Sequence, residues 1–208
     1  GDGRAFVLDP PADLQQPVLR ASGVRVTMSA REQQEFTRVP EREKSTWFFS
    51  RLVAKDAARS AWAARNGGGA FPADLETDAA DGRLTIRHRG DGLSPLPPVA
   101  VAVANGKVAA FAAFAERVGV ALEVLPKKAT AADEEAARAR VAAQAAADAL
   151  RIDPTGITVR SLAAATGEAV VSLPPTAVAL YPGLQGGLRV RTARHQNLVV
   201  ATTTGEPA

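Results

Sequence analysis

Two histidines, His88 and His195, no cysteine and a thin scatter of carboxylates leave this chain few residues able to do chemistry. Without cysteine, disulfides and thiolate zinc sites are excluded. Two histidines far apart in sequence, with no identifiable partners, read as structural residues rather than metal ligands. Asp78, Asp81 and Asp91 could be imagined as a metal cluster, but they fall in turn contexts, where aspartate bonds its own backbone. Cations are better represented. Arg38, Arg42, Lys44 and Arg51 crowd one stretch and could form a cationic rim, although surface Arg and Lys are commonplace. Lys55 and Asp56 read first as an exposed helical pair that favours solubility.

The elements carrying these residues follow from periodicity and punctuation. Residues 1–28 read as a strand-rich entry, with extended runs at Ala5–Leu8 and Val24–Met28 and Pro10-Pro11 between them. Ser29 opens a capping box with Glu32, which predicts a short helix to about Thr37. Glu41 to about Arg65 has no Pro or Gly and predicts a long helix, with Phe48, Leu52, Val53 and Ala57 on its buried face. Gly67-Gly68-Gly69 ends it. Leu75 to Arg87 reads as a hairpin turning at Asp81-Gly82. Val99–Ala104 and Val108–Phe114 read as a strand pair around Asn105-Gly106, a strong two-residue turn signal. A strand from Arg117 to Leu125 follows, then a helix over Ala129–Leu150 that starts on acidic residues and is nearly all Ala in its middle. Ile157–Leu162 and Ala169–Leu173 form a hairpin around Thr166-Gly167. A Pro/Gly loop from Pro174 to Gly187 precedes two last strands, and the tail TGEPA is expected to fray.

Composition bounds the class. The chain has 208 residues and is 46% hydrophobic, enough for one large domain or two small ones. Its net charge of +3 is shared evenly along the chain, and aromatics are sparse at 5%, so a nucleic-acid surface is not expected. No apolar run reaches membrane-spanning length and no signal peptide stands at the N-terminus, which predicts a cytoplasmic protein without membrane partners. The missing initial Met and the polar ends suggest a domain of a longer protein.

The most informative pattern is internal. Pro72–Ile86, PADLETDAADGRLTI, has a counterpart in Pro154–Leu173, PTGITVRSLAAATGEAVVSL. Each follows a helical stretch and precedes a second apolar pair, VAVAVANGKVAAFAAF from Val99 and LRVRTARHQNLVVATTT from Leu188. The expectation is an α+β fold of two similar halves, residues 1–114 and 115–208.

This arrangement resembles the Sfp-type 4'-phosphopantetheinyl transferases, from about Val24 to Thr203, which implies that the two α+β halves are related by pseudo-twofold symmetry. It is most similar to members associated with polyketide synthases, whose first-half helix often reads W-L-x-x-R-x-A-A-K-D-A-x-R. Here the segment is Trp47-Phe48-Phe49-Ser50-Arg51-Leu52-Val53-Ala54-Lys55-Asp56-Ala57-Ala58-Arg59. The resemblance implies transfer of the phosphopantetheine arm of coenzyme A to a carrier-protein serine, with Mg²⁺ held by carboxylates and phosphate oxygens. It also implies cofactor contacts from Arg42, Lys44, Arg51 and Lys55. The family's metal motifs are eroded, however. The strand motif G-[IV]-D-[IL]-E is Gly119-Val120-Ala121-Leu122-Glu123, with Ala121 at the Asp position and only Glu123 left as a metal ligand. The helix motif W-x-x-K-E-A-x-x-K aligns with Arg140 to Asp148, with Gln144 at the Glu position and Asp148 at the second Lys. The S-x-A-H-S strand becomes Ala100-Val101-Ala102-Val103-Ala104. Losing the metal should cost roughly a thousandfold in rate, since metal charge is worth several kcal/mol and about 1.4 kcal/mol is tenfold.

The resemblance therefore implies a degenerate, catalytically inactive domain with no cofactor. Its role would be structural or interactive in a polyketide-synthase-type assembly, with an acyl carrier protein or neighbouring synthase domains as partners. Two alternatives stand beside it. One is an active holo-[acyl-carrier-protein] synthase using coenzyme A and a rearranged Mg²⁺ site at Glu123, Gln144 and Asp148. The other is a coenzyme A-binding module without chemistry.

Overall fold

The computed structural model describes every residue except 1, 2, 81, 82, 91–94 and 164. It is an α+β protein whose chain divides into two compact units, Gly1–Phe114 and Ala115–Ala208.

The first unit opens with strand β1 (Arg4–Leu8), a 3₁₀ turn at Ala12–Gln15 and three helices, α1 (Pro17–Thr27), α2 (Ala30–Arg38) and α3 (Glu41–Asn66). Four strands follow: β2 (Leu75–Ala80), β3 (Arg83–His88), β4 (Val99–Ala104) and β5 (Lys107–Ala112). The sheet order is β1-β5-β4, all antiparallel; β2 and β3 form a separate antiparallel pair, and β3 lies beside β4. Helix α3 lies across β1, β5 and β4, and Phe48, Phe49, Val53, Ala54 and Ala57 pack there with Val99, Val108 and Ala110. The Asn105-Gly106 turn takes φ 48° and 76°, the left-handed pair that a two-residue hairpin needs.

The second unit runs β6 (Gly119–Val124), α4 (Ala131–Leu150), β7 (Thr158–Ala163), β8 (Glu168–Ser172), α5 (Pro175–Leu180), β9 (Leu188–His195) and β10 (Leu198–Thr203). Its five strands form one antiparallel sheet in the order β6-β10-β9-β8-β7. Helix α4 lies on β6, β10 and β9, burying Ala142, Ala145 and Ala146 against Ala121, Val190, Val199 and Ala201. The approach is close. A Cβ placed on Gly119 would stand 2.8 Å from the Ala149 backbone nitrogen, so strand and helix meet almost backbone to backbone. Alanine in α4 is what permits that distance.

Each unit thus follows one path. A strand leads to a helix that crosses the sheet, then four strands run out and back, and the last pairs antiparallel with the first. The units differ in their inserts. The first carries α1 and α2 between its first strand and crossing helix, whereas residues 125–130 alone make that connection in the second. Among the described residues, no helix is long and apolar enough to cross a membrane.

Three local expectations are corrected. Val24–Met28 is not a strand but the end of α1 and the residue that caps it. Pro17 starts that helix, and Arg20, Val24 and Met28 recur every four residues on its buried side, so packing overrides the β preference of valine. The Pro174–Gly187 stretch contains α5 and a 3₁₀ turn at Pro182–Leu184, the former started by Pro175. The tail does not fray: Arg189 donates to the Glu206 carbonyl at 3.1 Å, Ala208 to the Gly187 carbonyl at 3.1 Å, and Leu188 bridges Pro207. The predicted turn at Asp81-Gly82 lies outside the described residues, although Ala80 and Arg83 pair on either side of it.

Candidate functional site

The residues expected to do chemistry fall into two groups, one in each unit. In the second unit, Ala121 and Glu123 stand on β6, while Gln144 and Asp148 stand on α4. Ala121 is buried in the alanine layer between helix and sheet. Glu123 makes a two-pronged salt bridge with Arg140 of α4: Arg140 Nε donates to Oε2 at 3.0 Å and Nη2 to Oε1 at 2.6 Å. That fork-on-carboxylate geometry engages both oxygens. Its bonds raise the Arg140 guanidinium above its ordinary value, against the modest pull of desolvation. Gln144 is exposed. Asp148 is half-buried and its Oδ2 accepts the Val120 N–H at 3.2 Å, which ties the end of α4 to the start of β6.

These residues do not fit a magnesium site. Mg²⁺ needs near-octahedral oxygen donors with at least one carboxylate free to bind it. Ala121 offers none, Glu123 holds a guanidinium with both oxygens, and Gln144 is neutral. Glu123, the metal ligand that the resemblance implies, is in this structure the salt-bridge partner of Arg140. The position at which the resemblance puts a tryptophan is Arg140, the residue that pairs with Glu123. Among the described residues, no three His, Asp or Glu side chains converge as metal ligands.

Because the Glu123–Arg140 pair is solvent-exposed, its contribution to stability is expected to be at most about 1 kcal/mol. Urea unfolding of Arg140→Ala should shift little. A loss above about 2 kcal/mol would mark the pair as structural and contradict the surface ion-pair magnitude.

In the first unit, Lys55 sits in the interior, with no exposed surface. Its Nζ lies 2.7 Å from Glu32 Oε2 and donates to the Thr27 carbonyl at 3.1 Å. Glu32 is equally buried. Its Oε1 accepts the Thr77 N–H at 3.0 Å and Thr77 Oγ1 at 2.7 Å, and its Oε2 also accepts the Ser29 N–H at 2.8 Å. Burial pushes the Glu32 carboxyl up, but the bonds from Lys55, Thr77 and Ser29 outweigh it and hold the group below its ordinary value of 4.5. One ion pair therefore fastens α2, α3 and β2 together. Lys55 is neither a solvated helical charge nor a ligand contact, because its ammonium is enclosed. The sequence signal was available: Lys55 follows Phe48 by seven positions, two helical turns along the buried face.

Arg51 is also largely enclosed. Its guanidinium carbon lies 3.9 Å from the centre of the Trp47 ring, and desolvation lowers its affinity for the proton. Lys44 pairs with Glu41 at 3.0 Å and lies 5.3 Å over the Phe36 ring. Arg42 is exposed and pairs with Glu43 at 3.2 Å, and Arg38 is exposed at the end of α2. Of the expected cationic rim, then, Arg42 and Arg38 face solvent, Lys44 lies between Glu41 of α3 and the Phe36 ring of α2, and Arg51 stacks on Trp47 of its own helix. Asp78 is a strand residue bound to Arg31 at 2.6 Å and to Arg87 at 3.4 Å. Asp81 and Asp91 lie outside the described residues.

In the second unit, a buried charge escaped sequence reasoning entirely. Arg138 of α4 donates from Nε and Nη2 to Glu134 at 3.0 and 2.8 Å, and from Nη1 to Thr192 Oγ1 at 2.9 Å, tying α4 to β9. Arg194 closes on the other oxygen of Glu134, so that carboxyl is held below its usual range by Arg138 first and Arg194 second.

Neither protein-family models nor the curated proteins yield a match to this chain.

Proposed function

We propose that the chain is a degenerate 4'-phosphopantetheinyl transferase-like domain, without transferase activity, that serves a structural or interaction role in a polyketide-synthase-type assembly. The observation that carries the reading is the Glu123–Arg140 salt bridge beside a buried Ala121. In the eroded motif the remaining carboxylate is neutralised by a side chain of the same unit. The shared path of the two units supports an internal duplication, and the finer part of this reading is that the halves are related by a pseudo-twofold axis. The Trp47–Arg59 segment supports the link to synthase-associated members. Against a coenzyme A-binding role, Lys55 and Arg51 are enclosed by their own unit.

The test is to incubate the protein with coenzyme A, Mg²⁺ and an apo acyl carrier protein and weigh the carrier by mass spectrometry. The expected result is an unmodified carrier. A mass gain of one phosphopantetheine arm, lost when Glu123→Ala is used, would overturn the reading in favour of a rearranged active site.

A further inference from the structure

Along α4 and β7 runs an open groove of about 510 Å³, in the size range of ligand clefts. Ala132, Glu135, Ala136 and Ala139 form its helix wall and residues 159–162 its strand wall. The first unit shows what such a place holds. Helix α3 buries Ser50, Val53, Ala54, Ala57, Ala58 and Ala61; α4 buries Arg138, Val141, Ala142, Ala145, Ala146 and Ala149 with the same spacing. In that register, Lys44, Trp47, Phe48 and Arg51 correspond to the four groove positions of α4.

In the first unit those positions are covered. Phe36 of α2 packs on Trp47 with ring centres 5.5 Å apart, Lys44 lies over Phe36, and Gly23 of α1 lies against the Phe48 ring. The same α2 closes the edge of β2. Glu32 accepts the Thr77 N–H at 3.0 Å, and Arg31 donates to the Thr77 carbonyl at 2.9 Å. The second unit has no helix in that part of its path. Its edge strand β7 is outermost, and no neighbouring strand or helix side chain bonds its outer edge among the described residues.

We propose that this groove is a docking site for a helix from another polypeptide, one with a carboxylate in its first turn and an aromatic ring on its apolar face. Charge sets the orientation. Arg160, whose Nη1 donates to the Gly186 carbonyl at 2.9 Å, and the outer edge of β7 make the strand wall attractive to an anion, as the β2 edge is to Glu32, while the helix wall is alanine with Glu135 as its one charge. The alanine floor leaves room for the ring that Phe36 supplies in the first unit. Strand addition is the weaker alternative, because β7 carries a register shift between Val159 and Ser161 that spoils a continuous ladder. The inference rests on the matching path and spacing of the two units and does not depend on transferase ancestry.

The probe is a fluorescein-labelled peptide of residues 28–39, which has the required chemistry, titrated into the full chain and followed by polarisation. Saturable binding is expected. Ala136→Trp fills the groove from an exposed position and should weaken binding by about tenfold or more, as loss of a central contact does. Arg160→Glu should weaken it by a similar factor. A peptide carrying Gln34→Pro, which cannot form the helix, should not bind. Absence of saturable binding, equal affinity for Ala136→Trp and Arg160→Glu, or full binding by the proline peptide (strand addition) would each overturn the proposal. Circular dichroism of both protein variants separates loss of the groove from loss of the fold.

Discussion

Replacing Lys55 by methionine is expected to destabilise the protein by about 3–5 kcal/mol, as breaking a buried ion pair does. Methionine preserves most of the volume, so the loss isolates the charge. It strands the Glu32 carboxylate in an enclosed site where only Thr77 and Ser29 still donate to it. Removing both charges, as Lys55→Met with Glu32→Gln, should recover a good part of the loss, because a neutral amide can still accept from Thr77. Urea denaturation of the single and double variants measures this directly. Equal stability of Lys55→Met and the parent would show that the lysine is not held by Glu32. The pH dependence has a defined sign. Glu32 is held below 4.5, so its contribution is fully present above that value and is lost as pH falls through the folded-state pKa. The acid limb of the stability profile should therefore be shallower in Glu32→Gln than in the parent.

Gly119→Val should cost about 3 kcal/mol, at the upper end of overpacking penalties. Its added side chain would meet the Ala145 carbonyl and the Ala149 nitrogen, backbone atoms that cannot rotate away. Either β6 shifts off its ladder with β10 or α4 lifts from the sheet. The control is Gly183→Ala, where nothing lies within 4 Å and the change should be nearly neutral. Thermal unfolding of the pair tests it. A Gly119→Val protein that melts with the parent would mean that helix and strand are farther apart than described.

Much of this architecture was written in short-range patterns. The Ser29 capping box, the Gly67 stop and the Asn105-Gly106 turn are local signals, and each is realised where the residues indicate. Helix α1 was not legible, because Val24 and Val26 favour extended backbone and only burial of Arg20, Val24 and Met28 on one side outweighs that preference. The pinned tail is invisible in sequence for a similar reason: TGEPA has no apolar pattern, and its order comes from backbone bonds to β9. Within the site, the loss of donor atoms at Ala121 could be read from the letters alone. The partners of Glu123 and Lys55 could not, since Arg140 and Glu32 lie 17 and 23 positions away and only the fold brings them near. Reading Lys55 as solvated followed from its charge, whereas its phase along α3 pointed inward.

The alanine contact between α4 and β6 bears on how this sequence can drift. Large side chains in a core can shrink by a methylene and be answered by growth next door. Ala142, Ala145 and Ala146 have almost nothing to give up, and enlargement is barred by the sheet beneath them. Exchange at these positions is confined to glycine or serine, so this layer should outlast the polar surface as lineages diverge, and it is where distant relatives of the second unit would still resemble one another.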